Sequence, residues 1–232
     1  MKSFKIFFFI LLISFSNSQI QAQFRSNGRG LFEGRFGITA GYTNYVLESN
    51  VLFTKSQPGY LLGVVSTVEF TDYLELQVGL NYMHHRMKFV GKSDLEAEPE
   101  DLNFRLENFD IPLILNYNFF DNDEWKIGVN AGFTISLMQS YTCADDSKED
   151  YILEPVNLDV KYLNFDQENE SLSFNTYIPL GVGAEFKNIA CNLRYNMGLS
   201  DPFRQAPFYN AAFETKAKQN FYSVSFTYFF DN

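Results

Sequence analysis

Histidine, cysteine and tryptophan are scarce in this chain, which has two, two and one of them among its 232 residues. Neither cysteine belongs to a CxxC motif or has a metal-ligand neighbour, so we expect no metal and no other cofactor. Basic residues are also few: the chain has 18 of them and 28 acidic residues, which gives a formal net charge of −10. We therefore expect no nucleic-acid partner, because contact with phosphates requires a basic surface.

Long apolar runs are missing everywhere except at the N-terminus. There the basic segment "MKSFK" precedes the apolar segment "IFFFILLISF", and the polar stretch "SNSQIQAQ" follows. This order predicts a signal peptide over residues 1–22, cleaved near Ala22 and Gln23, with Ser18 as a second candidate. The alternative is a retained membrane anchor, but the apolar core is too short to span a bilayer comfortably. Residues 23–232 then form the exported domain.

Aromatic residues are abundant at 18%, and many stand in segments of strict alternation. In "WKIGVNAGFTISL" (125–137) every second residue is bulky and apolar, and the residues between them are mostly Gly, Asn, Thr or Ser. Such alternation indicates a β-strand with two unlike faces. Eight segments share the pattern: 34–45, 60–70, 73–83, 109–119, 125–137, 173–186, 189–199 and 221–230.

The connections between these segments alternate between short and long. Hairpin-length turns lie at Thr71-Asp72, 120–124 and Lys187-Asn188, and the long connections are 46–57, 84–107, 139–171 and 201–219. An even strand count with this layout is typical of a transmembrane β-barrel. We predict an all-β, eight-stranded antiparallel up-and-down barrel with a narrow filled lumen and long external loops. The bulky faces meet lipid, and a soluble secreted β-barrel is the structural alternative.

The predicted barrel resembles a known family. The segments "GITAGYTNY", "PGYLLGVVSTVEFTDYLELQVGLNYM" and above all "FDIPLILNYNF" are similar to the PorT-like outer-membrane β-barrel family of Bacteroidetes. Asp110, Ile111 and Pro112 match its pattern at the fourth strand, whereas Phe230 is followed by two polar residues where such barrels usually end on an aromatic. The resemblance implies an outer-membrane location and a link to type IX secretion. We also expect periplasmic termini and a monomeric barrel.

Charged residues also occur on the small, inward faces of the predicted strands. Seven of them form a predicted lumen charge network: Arg35, Glu69, Glu75, Asp110, Lys126, Glu185 and Arg194. Charges in a narrow lumen should be paired, because unpaired burial costs several kcal/mol. One interpretation is a salt-bridged plug that sets the strand register, which we favour. The other is an ion path and hence a narrow channel.

The longest connection, 139–171, is acidic. Its candidate site residues are Asp145, Asp146, Glu149, Asp150, Glu154 and Asp159. Clustered carboxylates can bind Ca²⁺, but the spacing of an EF-hand is missing, so a solvated acidic loop is the favoured interpretation. Aromatic residues interleave with these acids, which suggests a surface for protein partners.

The two histidines offer the one hint of catalysis. His84 and His85 lie where the third predicted strand ends, and His85 faces inward toward the strand that carries Asp110. A histidine and an aspartate at the rim are used by some barrel enzymes, but no serine or second acid is tied to this pair by a motif. We therefore predict a non-enzymatic interaction or assembly protein, with a rim-sited enzyme or a narrow channel as alternatives.

Overall fold

The computed structural model describes residues 34–94, 96–122, 124–148, 150–154, 173–202 and 216–230. The predicted signal peptide lies outside these residues. The strands are β1 (Gly34–Ser49), β2 (Thr54–Thr71), β3 (Leu74–Lys92), β4 (Glu100–Asp121), β5 (Trp125–Cys143), β6 (Ile152–Leu153), β7 (Ser173–Phe186), β8 (Ile189–Gly198) and β9 (Ala217–Phe230), with one 3-10 turn at Asp146–Lys148. In the described part of the chain, no helix is long and apolar enough to cross a membrane.

Eight of the nine strands form a closed antiparallel ring. Each pairs with the next barrel strand along the chain, and β9 returns to pair with β1 from Phe36–Phe230 to Ser49–Ala217. Closure leaves no exposed edge, so every backbone donor and acceptor of the wall can be satisfied within lipid. The short β6 is additional and pairs with the last residues of β3. The predicted eight-stranded barrel is confirmed.

The two ends of the barrel differ. The short turns at 72–73, 122–124 and 187–188 lie at one end, the turn end, and the long connections lie at the other, the loop end. Lys187 has a φ of 53°, the left-handed conformation that a two-residue hairpin of this kind requires. The predicted turns are confirmed to within two residues.

The strands extend further at the loop end than the sequence predicted. Residues 46–57 and 84–107 were expected to be loops, but strand structure covers 46–49, 54–57, 84–92 and 100–107. The predicted loop boundaries were wrong because the strands were identified by bulky apolar residues on their outer faces. Beyond the membrane band the alternation continues, but with apolar residues inside and polar residues outside. The charged outer residues there are of the kinds that also occur in loops.

The strand β4 shows this inversion within one continuous element. Near the turn end its outward residues are apolar and exposed, from Leu113 to Phe119, and its inward residues include Asn116. Near the loop end Leu106 is fully buried inside while Arg105 points outward and is exposed. Lipid surrounds the first part and water the second, so the inversion near Glu107 indicates the membrane boundary.

Aromatic side chains border the apolar band at both ends. Toward the loop end, ring centroids are 6.3 Å apart for Tyr60 and Tyr82 and 5.5 Å apart for Tyr82 and Phe109. Toward the turn end, Trp125 and Phe186 lie 4.7 Å apart. Two such belts at a barrel wall are the interfacial girdles of an outer-membrane protein.

An apolar core fills the lumen at the loop end. It includes side chains from seven barrel strands and the short β6. We call it the loop-end core, and its most buried members are Tyr45, Leu52, Met87, Phe89, Leu102, Leu106, Leu153 and Tyr177. This part of the barrel is therefore built as a soluble β-protein is, with its apolar face inside and its polar face outside.

Candidate functional site

An ion cluster at the turn end of the lumen joins three distant strands. The guanidinium of Arg35 on β1 donates to Glu75 on β3 at 2.8 Å and forms a two-pronged ion pair with Glu185 on β7. Asn116 donates to the second oxygen of Glu75 at 3.1 Å, and Arg35 lies 4.3 Å from the ring centre of Phe229. Both carboxylates therefore share one cation inside the barrel.

A second ion cluster lies beside the first. Lys126 on β5 donates to Glu69 on β2 at 2.6 Å and lies 3.8 Å from Asp121. A small cavity of about 40 Å³ is lined by residues of both clusters, including Lys126 and Glu185, and has room for a few water molecules. Five of the seven predicted network residues thus form two adjacent clusters at the turn end.

Arg194 stands apart from both clusters in the middle of the lumen. Its Nε donates to Asn130 at 3.0 Å and its Nη2 donates to Gln77 at 3.1 Å. Asn130 in turn donates to Asn192 at 3.2 Å. Among the described residues no carboxylate lies within ion-pair distance of Arg194, so its guanidinium group is hydrogen-bonded to amide oxygens instead.

Asp110 is also separate from the ion clusters. It is almost fully buried and accepts a hydrogen bond from Asn108, which also donates to Ser136 at 2.8 Å. A cavity of about 30 Å³ is lined by both Asp110 and Arg194. Water bound there has a carboxylate and a guanidinium to contact.

The amides that complete these clusters were not among the residues predicted from the sequence. Hydrogen bonds join the charged residues directly to Gln77, Asn116 and Asn130. All three stand on the inward parity of their strands, so that parity was the signal available in the sequence. Only the charged members had been selected from it.

His85 does not stand at a rim. The strand β3 continues for seven residues beyond it, and His85 is buried at 1% exposure, with its Nδ1 3.1 Å from the hydroxyl of Thr43. It lies opposite Leu106, whereas Asp110 lies opposite Asn81, which is four residues earlier in β3 than His85. The structure therefore places the two candidate catalytic residues apart. His84 faces outward and contacts Glu107 at 3.3 Å.

The described part of the acidic loop is partly folded onto the barrel. Asp145 accepts hydrogen bonds from the backbone and hydroxyl of Ser147, which lower the pKa of its carboxyl group. Lys148 forms an ion pair with Glu100, and this contact raises the pKa of the Lys148 ammonium group.

The remaining acids of this loop are spread over its surface. Glu154 binds Lys92 at 2.9 Å, and the exposed Asp146 begins the 3-10 turn, with Asp150 two residues after its end. Glu149 and Asp159 lie outside the described residues. Within the described ranges no three metal-ligating side chains come together.

The closed antiparallel ring, the apolar band between two aromatic girdles and the polar lumen define a transmembrane β-barrel of the outer-membrane type. A model of the outer membrane protein beta-barrel domain family matches residues 18–204. The chain belongs to this family.

The chain is also similar, at low identity, to solved structures of other outer-membrane proteins. OprG from Pseudomonas aeruginosa is 14% identical with a TM-score of 0.47, over 88% of this chain and 99% of that one. Ail, the attachment invasion locus protein of Yersinia pestis, is 12% identical with a TM-score of 0.43, over 85% and 99%. Neisserial surface protein A is 16% identical with a TM-score of 0.40, over 84% and 97%. No curated protein sequence gave a significant match.

Proposed function

We propose that this protein is a non-enzymatic interaction or assembly protein whose loop end faces the outside of the cell and binds a protein partner. The observation that supports this most is the inversion of faces at the loop end. There β2, β3 and β4 continue beyond the girdle with a packed interior and a polar exterior. A rigid, water-exposed platform of this kind is suited to binding rather than to transport.

The packing of the lumen favours this function over a channel. Tyr45, Phe89 and Leu106 are fully buried inside the loop end, so apolar side chains occupy the route that an ion would follow. Each cation of the turn-end clusters is ion-paired with carboxylates of its own cluster, as expected for a salt-bridged plug. The separation of His85 from Asp110 removes the main support for a rim enzyme.

The orientation follows the usual layout of outer-membrane barrels. Short turns face the periplasm and long connections face outward. The N- and C-terminal strands β1 and β9 both begin or end at the turn end, near Gly34 and Phe230, so the termini are assigned to the periplasm. The resemblance to PorT-like proteins makes type IX secretion the process in which we propose the partner acts.

The test is complementation of a deletion strain, with secretion of type IX cargo as the readout. The variant Asp146→Asn with Asp150→Asn removes two exposed acids at the loop end. The matched control, Asp72→Asn with Glu124→Gln, removes two exposed acids at the turn end. We expect the first variant to fold and to lose secretion several-fold, whereas the control restores it.

Site-specific photo-crosslinking identifies the partner in the same strains. A crosslinker at Asn103, on the exposed outer face of the loop end, should capture one protein, and a crosslinker at Val129, on the lipid-facing band, should not. Normal secretion in the deletion strain would contradict the secretion role. Equal capture at both positions would contradict a loop-end binding surface.

A further inference from the structure

Two arginines face each other directly on the outer surface at the loop end. Arg86 on β3 and Arg105 on β4 are register partners, and both side chains are exposed. We call them the arginine pair. Like charges directly opposite each other destabilise a sheet. Lys55 and Lys88 also face each other, but they share Asp101 as a counter-ion. The arginine pair has no such described partner, which suggests that an external anion offsets the repulsion.

The nearby carboxylates do not neutralise this pair. Asp101 is bound by Lys55 at 2.7 Å and by Lys88 at 3.3 Å, and Glu107 contacts His84. The Nε atom of Arg86 donates a hydrogen bond to the backbone carbonyl of Pro58 at 2.7 Å, which leaves its charge without a counter-ion. Neither guanidinium has an ion-pair partner among the described residues.

The position of the pair relative to the girdle limits the source of the anion. Arg105 is four residues from Phe109 on the same face of β4, which corresponds to about 14 Å along the strand or about 10 Å of height at the usual tilt. The headgroup region adds roughly 5–7 Å to each side of the hydrocarbon core. An arginine side chain that bends toward the membrane therefore reaches the level of the lipid phosphates.

We propose that the arginine pair is a binding site for the phosphate group of an anionic lipid in the leaflet at the loop end. Arginine presents a planar fork of donors that matches phosphate oxygens, and two forks on neighbouring strands can hold one phosphate from both sides. The site is separate from the proposed protein-binding role, since it depends on two outward residues beside the membrane. Bound lipid would anchor the barrel at a defined height.

The test uses the folded barrel in nanodiscs of phosphatidylcholine that contain a minor fraction of phosphatidic acid. Native mass spectrometry of the released protein measures how strongly phosphatidic acid is enriched over its bulk fraction. We expect wild type to retain it and Arg86→Gln with Arg105→Gln to lose about tenfold in enrichment, the size expected for losing one or more charge-assisted contacts.

Two further variants keep the result interpretable. Arg105→Gln alone removes a side chain for which no hydrogen bond or ion pair is described, so it tests the site even if the double variant fails to fold. Lys216→Gln with Lys218→Gln removes two positive charges at the loop end on another strand region and should retain full enrichment. A change of gel mobility on boiling reports folding for every variant.

Three outcomes would overturn the proposal. The first is equal enrichment of phosphatidic acid in wild type and both arginine variants. The second is binding of inorganic phosphate to the pair in lipid-free micelles at least as tightly as lipid, which would indicate a site for a soluble anion. The third is full lipid enrichment in the arginine variants together with loss of the crosslink at Asn103, which would assign the pair to the protein partner.

Discussion

Single residues inside the lumen carry most of the specific polar contacts of this barrel. Arg35 alone binds two acids that are 40 and 150 residues away in sequence. The narrow interior leaves little room for alternative pairings, so each charged residue depends strongly on its partner. Two predictions follow from this dependence.

Loss of the central cation should destabilise the barrel. Arg35→Gln leaves Glu75 and Glu185 facing each other without their counter-ion, and we expect the free energy of unfolding to fall by about 2–3 kcal/mol, allowing for partial exposure of the guanidinium. Urea unfolding in lipid vesicles measures the change, with the exposed Lys218→Gln as the control. A loss below about 0.5 kcal/mol would show that the acids have other sources of compensation.

A glycine makes the space for Arg194. A methyl group at Gly181 would overlap the backbone oxygen of Leu193 and would lie 2.8 Å from the Cγ atom of Arg194 and 2.9 Å from the Oδ1 atom of Asn130. Gly181→Ala should therefore shift the neighbouring strand as well as the arginine and lower the free energy of unfolding by about 1–3 kcal/mol. Gly34→Ala is the control, since its nearest neighbour would be 3.3 Å away. Equal stability of the two variants would mean that the lumen relaxes freely.

At the scale of elements, the strands show which features a sequence can reveal. The eight membrane-spanning segments were predictable because bulky outward residues alternate with small inward ones, as in β5 from Trp125 onward. The extensions of β3 and β4 were missed because water replaces lipid there, and polar outer residues such as Asn103 are also typical of loops.

The pairing within the site was not predictable either. Arg35 and Glu185 meet only because β1 and β7 cross the same level of a closed barrel, and this level depends on the stagger between strands that are not neighbours. The sequence gives the inward parity of each residue but not its height. Thus Asp110 and Arg194 were grouped with the ion clusters, although the structure places them apart.

One strand provides a test of the two environments. Leu113 and Asn103 both point outward from β4 and both are exposed, but the first lies in the apolar band and the second beyond the girdle. We expect Leu113→Arg to cost about 2–4 kcal/mol of unfolding free energy in vesicles, because the charge enters lipid. Asn103→Arg should change it by less than about 0.5 kcal/mol. Similar costs would contradict the position of the membrane boundary.

At the scale of the whole molecule, the lumen is polar at the turn end and is filled at the loop end by the apolar loop-end core. The two ion clusters and the cavity between them lie toward the turn end, and the loop-end core closes the opposite side. We therefore expect the molecule to present a binding surface and not a passage.

The seal predicts the electrical behaviour of the protein. In planar bilayers the wild-type barrel should give no resolvable conductance steps. Replacing Tyr45, Phe89 and Tyr141 together with Ala removes three aromatic rings that fill the loop-end lumen, and this variant should conduct if it remains folded. Steady conductance of the wild type at a level comparable to the variant would contradict a sealed lumen.

The most direct test of the inverted barrel is a cysteine scan along the outer face of β4 in lipid vesicles. Cys143 and Cys191, both free thiols, are first replaced, and single cysteines are placed at 101, 103, 105, 107, 109, 111, 113 and 115. We predict that a water-soluble thiol reagent labels positions 101–107, whereas a lipid-phase quencher affects probes at 109–115. Lipid exposure along the whole series, or water exposure along all of it, would contradict the account.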